Sequence, residues 1–175
     1  MGFREVYGDV GMRDAVVIGA DAWAAVYEAN ADRLVKLATF LAGPHAAVDL
    51  VQESVARAVR SPRWASVTDQ GAYLTRVLVN EAHRDAGRDA RRREREARVA
   101  SRPGPEPEPV PTYGIDADVR AAVRDLSAQQ RAVVFLTYWE DRSIPDVAAV
   151  LDVTEGTVRG QLARAKDRLR KVLHD

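Results

Sequence analysis

Between Ser101 and Gly114 the chain reads SRPGPEPEPVPTYG, with prolines at 103, 105, 107, 109 and 111. No other stretch restricts the fold as strongly. Each proline lacks an amide hydrogen and holds φ at about −65°, so alternating prolines can neither continue a helix nor join a sheet ladder. They favour an extended polyproline conformation, which at about 3.1 Å per residue lets such a strap span up to roughly 40 Å. After Arg102 its only charges are Glu106 and Glu108. The chain of 175 residues is thereby divided into an N-terminal extension (1–20), a first block (21–100), the linker (101–114) and a second block (115–175). Two blocks of this size are each marginal as independent cores. The strap leaves them free to move relative to one another, an expectation to be set against the structure.

Both blocks read as helical, and no segment alternates convincingly enough to be a strand. In the first, Trp23, Val26, Tyr27, Leu34, Leu37, Ala38 and Leu41 recur at helical spacing. Gly43-Pro44 stops that helix and opens the next. The second helix carries Val48, Val51, Val55 and Ala58 on one face and Asp49, Gln52, Glu53 and Arg57 on another, and Ser61-Pro62 ends it. After a loop with Trp64, a third helix begins near Asp69 and runs through Leu74, Val77, Leu78 and Ala82 into an arginine-rich stretch, AGRDARRREREAR. The expected fold class is all-α: two small helical domains joined by a proline-rich linker.

The second block is punctuated by caps. Ser127-Ala-Gln-Gln130 and Ser143-Ile-Pro-Asp146 both fit capping boxes. The helix after Ser127, through Val133, Phe135, Leu136 and Trp139, is apolar nearly all round and is expected to be buried. A short helix, Ile144 to Leu151, then meets the turn Asp152-Val153-Thr154, and Thr154 caps a long last helix. Short helix, tight turn, long helix is the helix-turn-helix pattern, with small Ala148 at the crossing and Val158, Leu162, Ala165 and Leu169 facing inward.

Charge supplies the functional direction. Lys+Arg and Asp+Glu are equal at 26 each, which excludes a uniformly basic DNA-coating protein and an acidic disordered tail. Yet Arg159 to Lys171 holds six bases against one acid, Asp167, and Arg76 to Arg102 holds nine arginines against five acids. Local positive charge in a neutral chain points to an anionic partner. Arginine and glutamine early in the last helix can reach base edges, and later bases suit phosphates. Asn80 and His83 beside arginines, with Trp64 and Tyr73 near in sequence, suit splayed or single-stranded bases.

Other classes fare less well. Without cysteine there is no disulfide scaffold, thiolate metal site or cysteine nucleophile, and His45, His83 and His174 are scattered. A DNA-processing enzyme would need a nucleophile or a carboxylate cluster, and the acids here sit singly. No catalytic residue, metal or cofactor is therefore expected. No apolar run approaches a membrane span of about 20 residues, and Arg4, Glu5 and Asp9 do not suit a signal peptide, so the expected location is the cytoplasm. A one-component helix-turn-helix repressor is the alternative that best competes, and a helical adaptor leaves both positive segments unexplained.

Three stretches in order, LATFLAGPHAAVDLVQESVARAV, AYLTRVLVNEAHRDAGRDARRR and LSAQQRAVVFLTYWEDRSIPDVAAVLDVTEGTVRGQLARAKDRLRKVL, with the strap before the last, resemble the extracytoplasmic-function (ECF) sigma factors of the sigma-70 family. The resemblance covers about Asp21 to Leu173 and implies a transcription initiation factor that binds core RNA polymerase and promoter DNA. It assigns Asp49, Gln52 and Glu53 to docking on the polymerase β′ subunit. Arg76, Asn80, Arg84 and Arg88 would open and read the minus-ten element, and Thr157, Arg159, Gln161, Arg164 and Arg168 would read the minus-35 element. The strap would pass along the polymerase RNA-exit path, the core polymerase partners would be its β′ and β subunits, and regulation by a separate anti-sigma factor is expected by analogy. Three positions depart from the family pattern. Arg84 stands where aspartate is frequent, with Asp85 one later, leaving the roles of His83 to Asp85 open. Asp152 stands where the turn usually has glycine. The extension before Asp21 is long, and Met12 is an alternative start.

Overall fold

A computed structural model describes residues 20–99 and 117–173, so the N-terminal extension, Met12 and the strap lie outside the described residues. The described elements are α1 (Ala20–Ala42), α2 (Pro44–Arg60), a single 3-10 turn (Trp64–Ser66), α3 (Gln70–Val99), α4 (Ala117–Arg124), α5 (Ala128–Val134), α6 (Ile144–Leu151) and α7 (Glu155–Leu173). Among these residues all regular structure is helical, as the sequence pattern requires.

Local chemistry fixes the helix ends. The Gly43 amide donates to Thr39 O at 2.9 Å, closing α1, and Gly43 takes φ 85°, a value that its lack of a Cβ permits. Pro44 then starts α2 where a missing N–H does no harm. Asp69 accepts from the Ala72 amide at 2.8 Å and so opens α3. Ser127 and Gln130 form the full reciprocal capping box of α5. Ser143 caps α6, but Asp146 completes no box: its carboxylate meets the Ser143 hydroxyl, at 2.5 Å, instead of the Ser143 backbone. One helix, α4, is not expected from the sequence pattern.

In the first unit α1, α2 and α3 pack pairwise around Leu34, Leu37, Leu41, Leu50, Val51, Leu74 and Leu78. The buried side of α2 runs through Ala47, Leu50, Val51, Ser54 and Ala58, one step round from the expected stripe, and Val48 is left exposed. In the second unit α7 packs on α4, α5 and α6. Val158 and Ala165 are fully buried there, and Ala148 is buried at the crossing as expected. The end of α5 widens into a π-helical turn, Phe135–Trp139. That turn buries Phe135 and Leu136 but delivers Tyr138 and Trp139 to the surface, so the expectation that this helix is buried throughout holds only to Leu136.

The two units are not apart. Helices α1 and α3 pack against α5, and α3 also packs against α6. Buried residues of both units belong to one continuous core. The rings of Phe40 and Phe135 meet across the seam at 5.5 Å between centroids. Arg33 Nε lies 2.7 Å from Glu140 Oε1, and Arg76 lies 2.6 Å from Asp152. The expected independence of the blocks is thus corrected: apolar surface that neither small unit can cover alone is covered by the other.

The Ser127 cap yields the first prediction. Replacing Ser127 with alanine strips the hydroxyl that accepts from the Gln130 amide, which should cost about 1 kcal/mol. Chemical denaturation of the variant should show a lower midpoint at unchanged slope.

Candidate nucleic-acid interface

Three exposed surfaces gather the candidate residues. On α2, Asp49 and Glu53 are exposed and Gln52 is half-buried, with Val48 between them and the core side. They form a patch in which two carboxylates and an amide adjoin an uncovered apolar side chain.

On α3, Arg76, Asn80, Arg84 and Arg88 recur every four residues, which makes them one slanting row along the helix. Asn80, Arg84 and Arg88 are exposed, and Arg76 is only half so. Trp64 and Tyr73 sit beside the start of this row, 6.2 Å apart, and the Arg76 guanidinium lies 5.3 Å from the Tyr73 ring centroid. The Tyr73 hydroxyl donates to Ser61 Oγ at 2.9 Å, which fixes the ring. Both aromatics are partly buried in the core, so they brace the base of the row more than they offer a free stacking face. His83 and Asp85 are both exposed, and Asp85 pairs with Arg88 at 3.0 Å.

The charge that organises this row is one that helical periodicity does not announce. Glu81 is 2% exposed, and its carboxylate lies between Arg57 of α2, at 2.8 Å, and Arg84. Arg57 also reaches Glu53, at 3.3 Å. A buried carboxylate is stable only when paired and hydrogen-bonded, and here the pairing joins the α2 patch to the α3 row. Only the i,i+3 spacing of Glu81 and Arg84 could have signalled it.

On α7, the Thr154 hydroxyl accepts from the Thr157 amide at 3.1 Å, capping the helix as expected. Val153 packs against the core and holds the turn in place. Thr157, Gln161, Arg164 and Arg168 follow at spacings of four and three and line one side of the helix. Arg159 lies on the other side of the solvent arc, with Lys166 and Arg170. Between the two rows run Gly156, Gly160 and Ala163, and a Cβ at Gly160 would meet nothing within 4 Å. The helix therefore presents a low ridge flanked by polar rows, a shape that lets its backbone come close to a groove floor.

Two of the expected contacts are already engaged within the fold. Arg159 pairs with Glu155 at 2.7 Å, an exposed pair that is easily exchanged. Arg168 donates to Asp125 O at 2.9 Å and lies 3.4 Å from Gln130 Oε1, so it ties α7 to the cap of α5. Its guanidinium is a brace within the second unit, which sets it apart from the other four. Among the described residues no three or more His, Asp or Glu side chains converge as a metal site, and no helix is long and apolar enough to cross a membrane.

Comparison with known proteins matches both units to one family. The Sigma-70 region 2 family model matches residues 26–95, and the Sigma-70, region 4 model matches residues 116–169. The RNA polymerase sigma-E factor of Streptomyces antibioticus is 36% identical over 133 residues, 74% of this chain and 72% of that protein. The ECF RNA polymerase sigma factor SigE of Mycolicibacterium smegmatis is 32% identical over 157 residues, 86% of this chain and 61% of that protein. Among solved structures, the sigma factor RpoE of Bartonella quintana, crystallised with the anti-sigma factor NepR, superposes with a TM-score of 0.63 at 25% identity, covering 87% of this chain and 96% of that one. With a region 2 unit, a region 4 helix-turn-helix unit and relatives of this kind, the chain belongs to the ECF sigma factors of the sigma-70 family and is a transcription initiation factor.

Proposed function

We propose that this sigma factor docks on core RNA polymerase through the exposed face of α2 and delivers two DNA-reading helices to one promoter. Asp49, Gln52 and Glu53 engage the β′ subunit, and exposed Val48 adds an apolar contact. Arg76, Asn80, Arg84 and Arg88 engage the minus-ten element as its strands separate. Thr157, Arg159, Gln161 and Arg164 read the minus-35 element in the major groove, and Arg168 supports α7 from within the fold. The strap takes the polymerase RNA-exit path between the two DNA contacts, and the core is met through its β′ and β subunits. The observation that carries this reading is the pair of exposed polar rows, one on α3 and one on α7, in a chain that matches both region 2 and region 4. A one-component repressor needs only the second row and leaves the α2 patch and the α3 row without work. An anti-sigma protein as regulator is supported by the company that the Bartonella relative keeps.

Transcription in vitro with core polymerase and a promoter library tests the reading, which fails if the chain selects no promoters. Within that assay, Asp49→Ala with Gln52→Ala should leave helicity and melting nearly unchanged, because neither side chain is in the core, while weakening polymerase binding. Undiminished affinity for core enzyme would remove α2 from the docking surface.

For the recognition helix, Arg159→Ala should relax one position of the upstream element, at a cost of about 1–3 kcal/mol for a lost base contact. Lys171→Ala should reduce binding evenly across sequences or not at all. Arg168→Ala should lower the melting temperature and leave promoter preference intact. Equal losses on every sequence for Arg159→Ala would mean that Arg159 meets phosphate.

A further inference from the structure

Among the described residues Glu81 is the only acid or base that is buried, and promoter reading gives it no task of its own. Leu78, Val79 and Ala82 beside it on α3 are buried too, so it stands on the core side of the helix, where a lone charge is not tolerated. Two guanidiniums meet it on the same oxygen. Arg57 Nε of α2 lies 2.8 Å from Glu81 Oε1, and Arg84 Nη1 reaches that same atom. The two arginines differ in what else they do. Arg57 spans two carboxylates, with Nε on Glu81 and Nη2 3.3 Å from Glu53, an acid that is 62% exposed and so solvated by water. Arg84 holds the oxygen through one terminal nitrogen, is 53% exposed and belongs to the α3 row. One buried charge therefore has two cations in contact with it, one more than its neutralisation needs.

We propose that Arg57 is a stand-in counterion: it keeps Glu81 compensated when Arg84 leaves for nucleic acid, and so makes Arg84 available to bind. The proposal rests on the reading of Arg84 as a nucleic-acid contact. A guanidinium nitrogen bonded to Glu81 is not free for a phosphate or a base edge, so binding takes Arg84 from the buried carboxylate. With no second cation, that step would strand an uncompensated charge in the core, which is strongly unfavourable. Arg57 removes the penalty because its Nε already touches the oxygen that Arg84 gives up. No backbone movement is needed, and Glu53 can turn to water if Arg57 shifts inward. Arg57 and Glu81 are thus positioning residues that act through Arg84. The geometry also assigns the two arginines different fates on binding: Arg84 moves outward to the ligand, and Arg57 tightens on Glu81.

The full chain is titrated at low salt onto a fluorescently labelled pool of random single-stranded DNA 12-mers, with anisotropy as the readout and circular dichroism as the check on folding. Arg84→Ala should weaken binding by about two- to fivefold, the size of one exposed ion pair. Arg57→Ala should weaken it as much, although Arg84 is still present. Adding Glu81→Gln to Arg57→Ala removes the charge that holds Arg84 and should restore the affinity. Adding Glu81→Gln to Arg84→Ala should change nothing, which separates the stand-in role from a gain in net positive charge. Equal gains in both backgrounds would overturn the proposal, and so would an Arg57→Ala chain that binds like the unsubstituted one. A second measurement needs no substitution. Hydrogen exchange at the Arg57 Nε–H, followed by NMR, should slow when the DNA pool is added, because Arg57 then has the buried oxygen to itself. Unchanged or faster exchange would count against the stand-in role. If Arg84→Ala binds the pool undiminished, the reading of Arg84 fails and the proposal falls with it. If Arg84→Ala weakens binding and Arg57→Ala does not, the stand-in role alone fails. Neither assay uses polymerase or promoter, so both are separable from the sigma-factor reading, whose failure shows as absence of promoter selection in transcription.

Discussion

The apolar seam between α1 and α3 on one side and α5 and α6 on the other is the contact on which this structure depends. Each unit is a three- or four-helix assembly too small to enclose much surface, and small cores leave little margin over chain entropy. Burying Phe135 and Leu136 between the units turns two marginal cores into one continuous core. The π-helical turn at Phe135–Trp139 follows from this demand. A straight α-helix through the same residues repeats every 3.6 positions, whereas the wider turn carries Phe135 and Leu136 inward and releases Trp139 to the surface, stacked on Phe135 at 6.0 Å.

Polar residues near the seam then set which functional groups are free. Arg33 is shared between Thr75 of its own unit, at 2.9 Å, and Glu140 of the other. Glu140 also meets Arg142, at 2.8 Å, so its carboxylate is held from both sides. Within the first unit Glu81 plays the corresponding part, compensated by Arg57 and Arg84. Removing one member of such a buried set leaves an uncompensated charge. A change at Glu81 would therefore reach both the α2 patch and the α3 row without touching polymerase or DNA.

Much of this was legible in the sequence, and the parts that were not have identifiable reasons. Caps and breakers act within four residues of chain, so Gly43-Pro44, Ser61-Pro62, Ser127-Gln130 and Thr154 could be read directly and all stand at helix ends. The inward stripe of α7 was also legible, because one helix packing on one core has a single period. Val48 was assigned to the wrong face of α2 because valine, alanine and leucine are spread so widely round that helix that periodicity alone does not choose between neighbouring stripes. The α4 helix is eight residues long and has no long apolar run to announce it. The docking of the units was illegible for a different reason: the strap's composition says nothing of whether the units it joins adhere. The roles assigned to Asp49, Gln52, Asn80, Gln161 and their neighbours came from resemblance, and the structure adds that these side chains stand on exposed or half-exposed faces.

Zero net charge and a DNA-reading role are reconciled by where the acids stand. Several bases on α3 and α7 have a carboxylate three or four residues away on the same helix: Arg88 with Asp85, Arg159 with Glu155, Arg170 with Asp167. Such exposed pairs contribute at most about 1 kcal/mol each, so a phosphate or base edge in the right place displaces the acid at little cost. Their acids lower the positive field of these helices without cancelling it, since Arg159 to Lys171 still holds six bases against one acid, and attraction without register depends on that net local charge and on counterion release. With that residual charge the chain is expected to gain only weak, salt-sensitive attraction from random duplex. It gains more where a rigid surface holds both reading helices in register, because the second contact is then intramolecular and its effective concentration is set by geometry. On the proposed reading, specificity rests with the assembled pair more than with either helix, because each helix offers only a few exposed polar side chains.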